Sequence, residues 1–311
     1  MGKWIQRRSM PTPRHDLQAV TVGSKIYAVS GAGDETVHAV EIYDPQSDSW
    51  ESGPPIPTAR GWFGAGLVNG AIYAIGGKRV RPAEEKRRTG DDRHFEIRDS
   101  VERLDLATGT WSAVESLSEP RAGLVATVCK GRIYAIGGNS MNNDSGSGGA
   151  HLDRVEVFDP DTGRWSPGVP LPLGLQGPAV ATVGDRIYVS AGIGGPEGGV
   201  NRRTFSLDPD GGRWEELAPI PTGRCDPGVL AVGRRIYTFG GWGGDDGPYH
   251  DKVQIYDVDA DSWSRETPMP DRKAWMASAL VDGRIFVMGG AYKLTDAPGY
   301  RWIEDLHELV P

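Results

Sequence analysis

An all-β ring of six blades, each built from four short strands, is the fold class that three observations in this sequence predict. A short β-branched and aromatic run that ends in paired small residues occurs six times. A second strand-like run follows most copies, and behind it comes a Trp. Those Trp residues recur at intervals of 46, 61, 54, 49 and 49 residues, counted from Trp4 through Trp263. That period is too long for a helical solenoid and suits four strands plus turns, the unit of a β-propeller blade.

The six leading runs are SKIYAVSG (24–31), GAIYAIGG (70–77), GRIYAIGG (131–138), DRIYVSAG (185–192), RRIYTFGG (234–241) and GRIFVMGG (283–290). Each reads as a buried strand closed by a tight turn, because β-branched and aromatic residues suit a pleated surface and the paired glycines free the backbone. The following runs are VEIYD (40–44), VERLD (101–105), VEVFD (155–159), TFSLD (204–208) and VQIYD (253–257). Trp50, Trp111, Trp165, Trp214 and Trp263 come after them, at a register that fills the wedge between neighbouring blades.

The sixth copy reads IFVMGG and then DLHELVP with no Trp behind it, whereas KWIQRRSMP at the start has the spacing of the missing strand. Residues near 2–8 are therefore expected to complete the sixth blade and close the ring, which removes the sheet edges an open array would expose. One domain, residues 1–311, accounts for the whole chain.

The double glycine, the spaced Tyr-Asp and the Trp together resemble kelch repeats, four copies keeping both glycines while Ser30-Gly31 and Ala191-Gly192 are softened. The resemblance implies that two loops of each blade meet at one mouth of the central channel: the loop entering the innermost strand, and the loop after the double glycine. The first loop carries Arg14, Arg60, Arg121, Arg224 and Arg272, with Gln176 in the fourth blade. An Arg so placed suits either of two roles, holding carbonyls of adjacent blades or meeting a ligand. In either role the ring is expected to make the mouth more cationic than the net charge of −8 suggests.

Beside those positions the mouth gathers Trp62, Phe63, Trp242, Trp275 and Tyr292 from the second, fifth and sixth blades, and small residues from the third and fourth. This lopsided set suits a concave, mostly apolar site with a few polar groups. Lys78, Arg79, Asn139 and Cys225 complete the expected ligand contacts. His15, Asp16 and Asp226 are the candidate acid/base groups, and Cys225 would become a nucleophile only beside a cation that lowers its pKa.

The chain lacks a G-x-S-x-G elbow, a P-loop, an H-E-x-x-H pair and cysteines at zinc spacing. The iron-binding Glu-x3-Asp-x3-His pattern of plant specifier proteins is matched only at Asp246 and His250, with Trp242 where the Glu belongs. Neither a metal nor another cofactor is expected, although Asp245, Asp246, His250 and Asp251 form an acidic turn. Net negative charge argues against nucleic acid or an anionic membrane as partner. The run from Lys78 to Arg98, with eight Lys/Arg against five Asp/Glu, reads as a solvated loop. Two cysteines and no apolar leader suit a cytoplasmic protein. The expected function is a module that binds a peptide segment, or an aromatic or anionic small molecule, at the mouth. The alternative is a cofactor-free isomerase, cyclase or lyase, a kind of activity that lone kelch propellers such as bacterial sialic acid mutarotase are similar in hosting.

Overall fold

A computed structural model of the chain describes residues 2–81, 84–85, 88, 95–140, 151–195, 198–244, 247–293 and 299–310. Six four-stranded antiparallel sheets form, one per repeat. The innermost strands are Gln18–Val22, Gly64–Val68, Val125–Cys129, Ala179–Val183, Gly228–Val232 and Ala277–Val281. Each packs on the innermost strands of both neighbours, so they close into a circle. The predicted six-bladed β-propeller is the fold.

The outermost strand of the sixth blade is Lys3–Arg7, paired antiparallel with Leu306–Val310 from Lys3 opposite Val310 to Arg7 opposite Leu306. The ring is closed by the N-terminal strand, as the sequence predicts. Trp4 also performs the task of every other repeat Trp. Trp50 donates its indole N–H to Arg8 O (2.8 Å), Trp111 to Pro54 O (2.9 Å) and Trp165 to Glu115 O (2.9 Å). Trp214 donates to Val169 O (3.1 Å), Trp263 to Ala218 O (2.9 Å) and Trp4 to Thr267 O (3.2 Å). Every acceptor lies just beyond the outer strand of the preceding blade, so the six indoles tie the rim together in a circle.

A second circle of bonds runs nearer the axis and explains the paired glycines. The N–H of the second glycine donates to a carbonyl at the entrance of the next blade: Gly31 to Arg60, Gly77 to Arg121, Gly138 to Leu175, Gly192 to Arg224, Gly241 to Lys273 and Gly290 to Arg14, all at 2.7–3.0 Å. These six glycines have φ between +88° and +116°, a region closed to other residues. The first position has φ of +50° to +64°, the small left-handed basin that a non-glycine residue enters at moderate cost. Ser30 and Ala191 therefore stand at first positions, and the softened copies keep their second glycine.

Apolar burial is divided among the wedges between blades rather than gathered at one centre. Ile136, Val155, Leu175, Ile187 and Phe205 fill the wedge of the third and fourth blades, and Tyr43, Phe286, Met288 and Leu306 that of the sixth and first. Among the described residues no helix is long and apolar enough to cross a membrane.

Removal of residues 1–8 should strip a whole strand and one indole tie from the sixth blade, and the thermal midpoint should drop for the entire ring in one transition. The single change Trp4→Ala, at a half-buried indole, should cost about 2–4 kcal/mol in denaturant unfolding. An unchanged midpoint for the shortened chain would overturn the closure argument.

Candidate functional site

The two loops of each blade meet at the mouth through an antiparallel bridge of one residue on each side. The pairs are His15 with Ala32, Gly61 with Lys78, Ala122 with Asn139, Gln176 with Ile193, Cys225 with Trp242 and Ala274 with Ala291. These bridges correct the register read from the sequence in two blades. Gln176 occupies the bridge position itself, so the residue equivalent to the repeated Arg in the fourth blade is Leu175. In the sixth blade that residue is Lys273, whereas Arg272 is exposed and faces Asp251 at 3.5 Å.

The repeated Arg residues lie under the mouth. Arg14, Arg60, Arg121 and Arg224 are each 0% exposed. Arg14 pairs with Glu41 (2.7 Å), Arg60 with Glu102 (2.6 Å) and Arg121 with Glu156 (2.5 Å), while Arg224 donates to Gln254. Further N–H groups hold carbonyls of the same blade, as when Arg60 donates to Gly76 O and Ser100 O, or Arg224 to Gly240 O and Lys252 O, while Arg14 Nε and Arg121 Nε have no partner among the described residues. Their role is therefore to clamp the loops of their own blade. The cationic mouth expected from these side chains is absent, because each charge is buried and three of the four are matched by a glutamate. In the sixth blade Lys273 takes this place beside His307; burial depresses the ammonium to about 8, with Asp305 and Asp271 opposing the shift. In the fourth blade Leu175 and Phe205 replace the polar clamp with an apolar pair.

The residue after each bridge position forms the throat of the channel. Asp16, Trp62, Gly123, Gly177, Asp226 and Trp275 all have φ between +50° and +65°. Backbone bonds pass around this throat from Asp16 N–H to Trp275 O, Gly123 to Trp62, Gly177 to Gly123, Asp226 to Gly177 and Trp275 to Asp226 (2.8–3.1 Å). Left-handed backbone is easy for glycine and passable for Asp, but for two Trp residues it is a strained choice.

Above the throat lies a cavity of about 530 Å³. Its walls include Trp62, Phe95, Trp242, Trp275, Tyr300 and Trp302, with Asp16, His15 and Lys78 among the polar groups. Below the throat a second space of about 210 Å³ includes Asp226 in its lining. The aromatics are mutually braced: His15 stacks on Trp302 with ring centres 4.6 Å apart, Tyr300 stacks on Trp302 at 5.7 Å, and Trp275 meets Tyr249 and Tyr300 edge-on at 5.9 Å. Lys78 Nζ sits 3.4 Å from the centre of the Trp62 ring and 3.9 Å from that of Phe95.

Polar groups at the throat divide into engaged and unengaged. Asp226 Oδ2 accepts from Trp275 Nε1 (3.0 Å), Trp242 Nε1 (3.2 Å) and the Cys225 thiol (3.2 Å). Among the described residues, Asp16 Oδ1, Trp62 Nε1 and His15 Nδ1 are buried with no hydrogen-bond partner. His15 Nδ1 lies 3.0 Å from Asp16 Oδ2 without meeting hydrogen-bond geometry. Burial foremost, and then Asp16, lifts the Asp226 carboxyl to about 6, against the three bonds it accepts. Burial lowers the Lys78 ammonium to about 8, while Asp16 and Asp226 pull the other way.

Of the sequence candidates, His15, Asp16, Trp62, Lys78, Trp242 and Trp275 come together at the cavity, with Asp226 at its floor. Arg14 and Arg60 do not reach it. Phe63 is 0% exposed and belongs to the wedge of the first and second blades. Arg79 pairs with Glu85 and Glu96, and Asn139 donates to Gln176 Oε1 (2.5 Å). The Cys225 thiol is fully buried and held well above its ordinary pKa, first by that burial and then by Asp226, so it is no nucleophile. Tyr292 contacts Arg301 at the long limit of a hydrogen bond, 3.5 Å, and its place on the wall is taken by Tyr300 and Trp302. Those two sit on a return strand, Tyr300–Trp302, that pairs with Ala291–Lys293; Phe95 likewise sits on Phe95–Ile97, paired with Lys78–Val80. A Tyr-x-Trp that begins six residues before the last strand run was the available signal. Of the acidic turn, Asp245 and Asp246 lie outside the described residues, and His250 is buried with Nε2 at 2.6 Å from Gly243 O.

Three regions of the chain, 13–57, 120–172 and 223–270, match the family model described as Kelch motif. Kelch-like protein 25 of Xenopus tropicalis is 26% identical over 194 residues, which is 60% of this chain and 30% of that protein. Alpha-scruin of Limulus polyphemus is 27% identical over 199 residues, 63% of this chain and 20% of that protein. The chain thus spans about a third or less of the length of these curated relatives. Among solved structures, that of YjhT matches with a TM-score of 0.78 and 19% identity, covering 96% of both chains, which is a likeness of fold.

The Asp226 value sets a sign for stability. Its folded pKa lies above the ordinary carboxylate value, so its contribution is fully present below pH about 4 and is lost as the pH rises through about 6. Asp226→Asn should therefore gain in thermal midpoint relative to the unaltered protein as the pH is raised from 4 to 7, by at most about 3 kcal/mol and less where throat water screens the charge. A gap that stays constant across that range would show that the carboxylate is not desolvated.

Proposed function

Because the chain is a kelch-repeat β-propeller, and such domains generally bind protein partners, we propose that it is a binding module whose ligand site is the aromatic cavity at the channel mouth. The observation that carries this reading is the coincidence, in one concave space, of six aromatic walls with buried polar atoms that have no partner among the described residues. A pocket of this size suits a drug-sized molecule or a single side chain of a docked peptide, whose polar atoms would satisfy Asp16 Oδ1 and Trp62 Nε1. Strain at Trp62 and Trp275 fits the same reading, since bulky residues in left-handed backbone persist where their placement serves a site.

A second reading, an enzyme acting by acid/base chemistry on a small molecule, rests on the placing of the Asp226 carboxyl at the throat below the cavity, where burial raises its pKa to about 6. Turnover with an Asp226-dependent step near pH 6 would favour it.

The test is a thermal-shift screen against small molecules and short peptides, with Trp62→Ala and Trp275→Ala run in parallel. A ligand held at about 100 times its Kd should stabilise the native protein by about 2.7 kcal/mol and should leave either variant unmoved. Ligands that stabilise both variants as well as the parent would place binding elsewhere.

A further inference from the structure

Resting on that reading, we propose that the mouth cavity selects an organic cation carrying N–H donors, a primary ammonium, amidinium or guanidinium group on a flat or apolar stem, with Asp16 as its counter-charge. Of the four indoles on the cavity wall, only that of Trp62 keeps an N–H with no partner among the described residues. Trp242 and Trp275 both spend their N–H on Asp226, and the Trp302 N–H is 3.3 Å from Asp34 Oδ1. With their edges committed to carboxylates, these rings present the cavity with π-surface, whose quadrupole attracts cations. The cavity already demonstrates this preference once: Lys78 lies against the faces of Trp62 and Phe95.

Charge points the same way. Among the described lining residues Asp16, Asp226 and the rim residue Asp34 stand against the single ammonium of Lys78, and the repeated Arg residues Arg14, Arg60, Arg121 and Arg224 are buried under the mouth. Asp16 is 6% exposed, and its Oδ1 accepts no hydrogen bond among the described residues. An unpaired buried carboxylate oxygen is costly, and an N–H donor with positive charge is the group that relieves it best. A neutral donor would satisfy the geometry but leave the charge uncompensated. An anion would be repelled by Asp16 at close range.

The titratable groups around this position are His15 and Asp34 from the first blade, Lys78 from the second, His151 from the third, and Cys225 with Asp226 from the fifth. Protonation of Asp226 below pH about 6 removes a negative charge, and loss of the Lys78 proton above about 8 removes a positive one. Cation affinity should therefore rise with pH across both values.

The experiment uses three probes of one size and shape: benzamidine, benzamide and benzoate, titrated into the full chain by calorimetry and by Trp emission. Benzamidine should bind at least about tenfold more tightly than benzamide, and benzoate more weakly than either. Asp16→Asn should cost benzamidine about tenfold or more while leaving benzamide unchanged, and Lys78→Met should tighten benzamidine several-fold, a gain that misfolding cannot imitate. Agmatine and an acetylated Gly-Arg-Gly amide then distinguish a free cation from a protein side chain as the source. Benzoate binding most tightly, or benzamidine indifferent to Asp16→Asn, would overturn the cation assignment and leave the pocket reading in place. Failure of all three probes, joined to an empty thermal-shift screen, would overturn both.

Discussion

The bond from the second glycine of each repeat to the carbonyl of the next blade is the constraint on which the remaining structure depends. It is made six times around a closed path, Gly31 to Arg60 through Gly290 to Arg14. Its geometry requires a φ near +100°, which excludes any side chain, and a Cβ at Gly77 or Gly290 would lie 2.7 Å from a backbone carbonyl oxygen. The bond sets the distance between neighbouring blades at the axis, and the indole ties set it at the rim. Between these two circles the apolar wedges have only to fill the space, which is why their composition differs from blade to blade.

The buried Arg converts the same bond into a loop-fixing device. Its carbonyl accepts from the previous blade while its guanidinium holds a carbonyl of its own blade, that of the first glycine for Arg60, Arg121 and Arg224 and that of Ala28 for Arg14. Both loops at the mouth are thereby held from below, and the residues above them are relieved of structural work. The series Arg with Glu, Arg with Gln, Lys273 with no hydrogen-bond partner among the described residues, and Leu with Phe shows that the clamp can be varied or given up while the glycine bond persists. Replacing a buried ion pair with a well-packed apolar pair is often neutral for stability, and Leu175 with Phe205 is such a replacement inside the molecule.

How much of this was legible in the sequence follows from which features repeat. Strand runs, paired glycines and Trp recur because every blade needs them, so repetition revealed the fold and the closing role of Lys3–Arg7. The mouth is built from residues that differ between blades, and a one-residue uncertainty there moves a side chain from clamp to cavity. Arg272 and Gln176 were misplaced in this way, since an Arg or Gln near the expected position looked like the repeated one. Tyr300, Trp302 and Phe95 were missed because they lie on short return strands inside the long loops, which no periodicity marks. Trp62, Trp242 and Trp275 were legible because large aromatics beside a repeated position need a reason to be there.

The throat concentrates what the fold did not require. Six equivalent positions share one left-handed conformation, and glycine in the third and fourth blades shows the unstrained solution. Trp62 and Trp275 give up that solution at about 1–2 kcal/mol each, Asp226 places a carboxylate where burial disfavours its charge, and Asp16 places another beside it with one oxygen unpaired among the described residues. None of these choices improves the ring, because the backbone bonds at Gly123 and Gly177 are as short as those at Asp226 and Trp275. Strain and desolvation accepted at four of six equivalent positions, with the two relaxed positions side by side, give the mouth one aromatic, acidic flank and one open flank. An asymmetric mouth on a near-symmetric scaffold has to be made by such local departures, since the shared bonds fix the backbone and leave only the side chains free to differ.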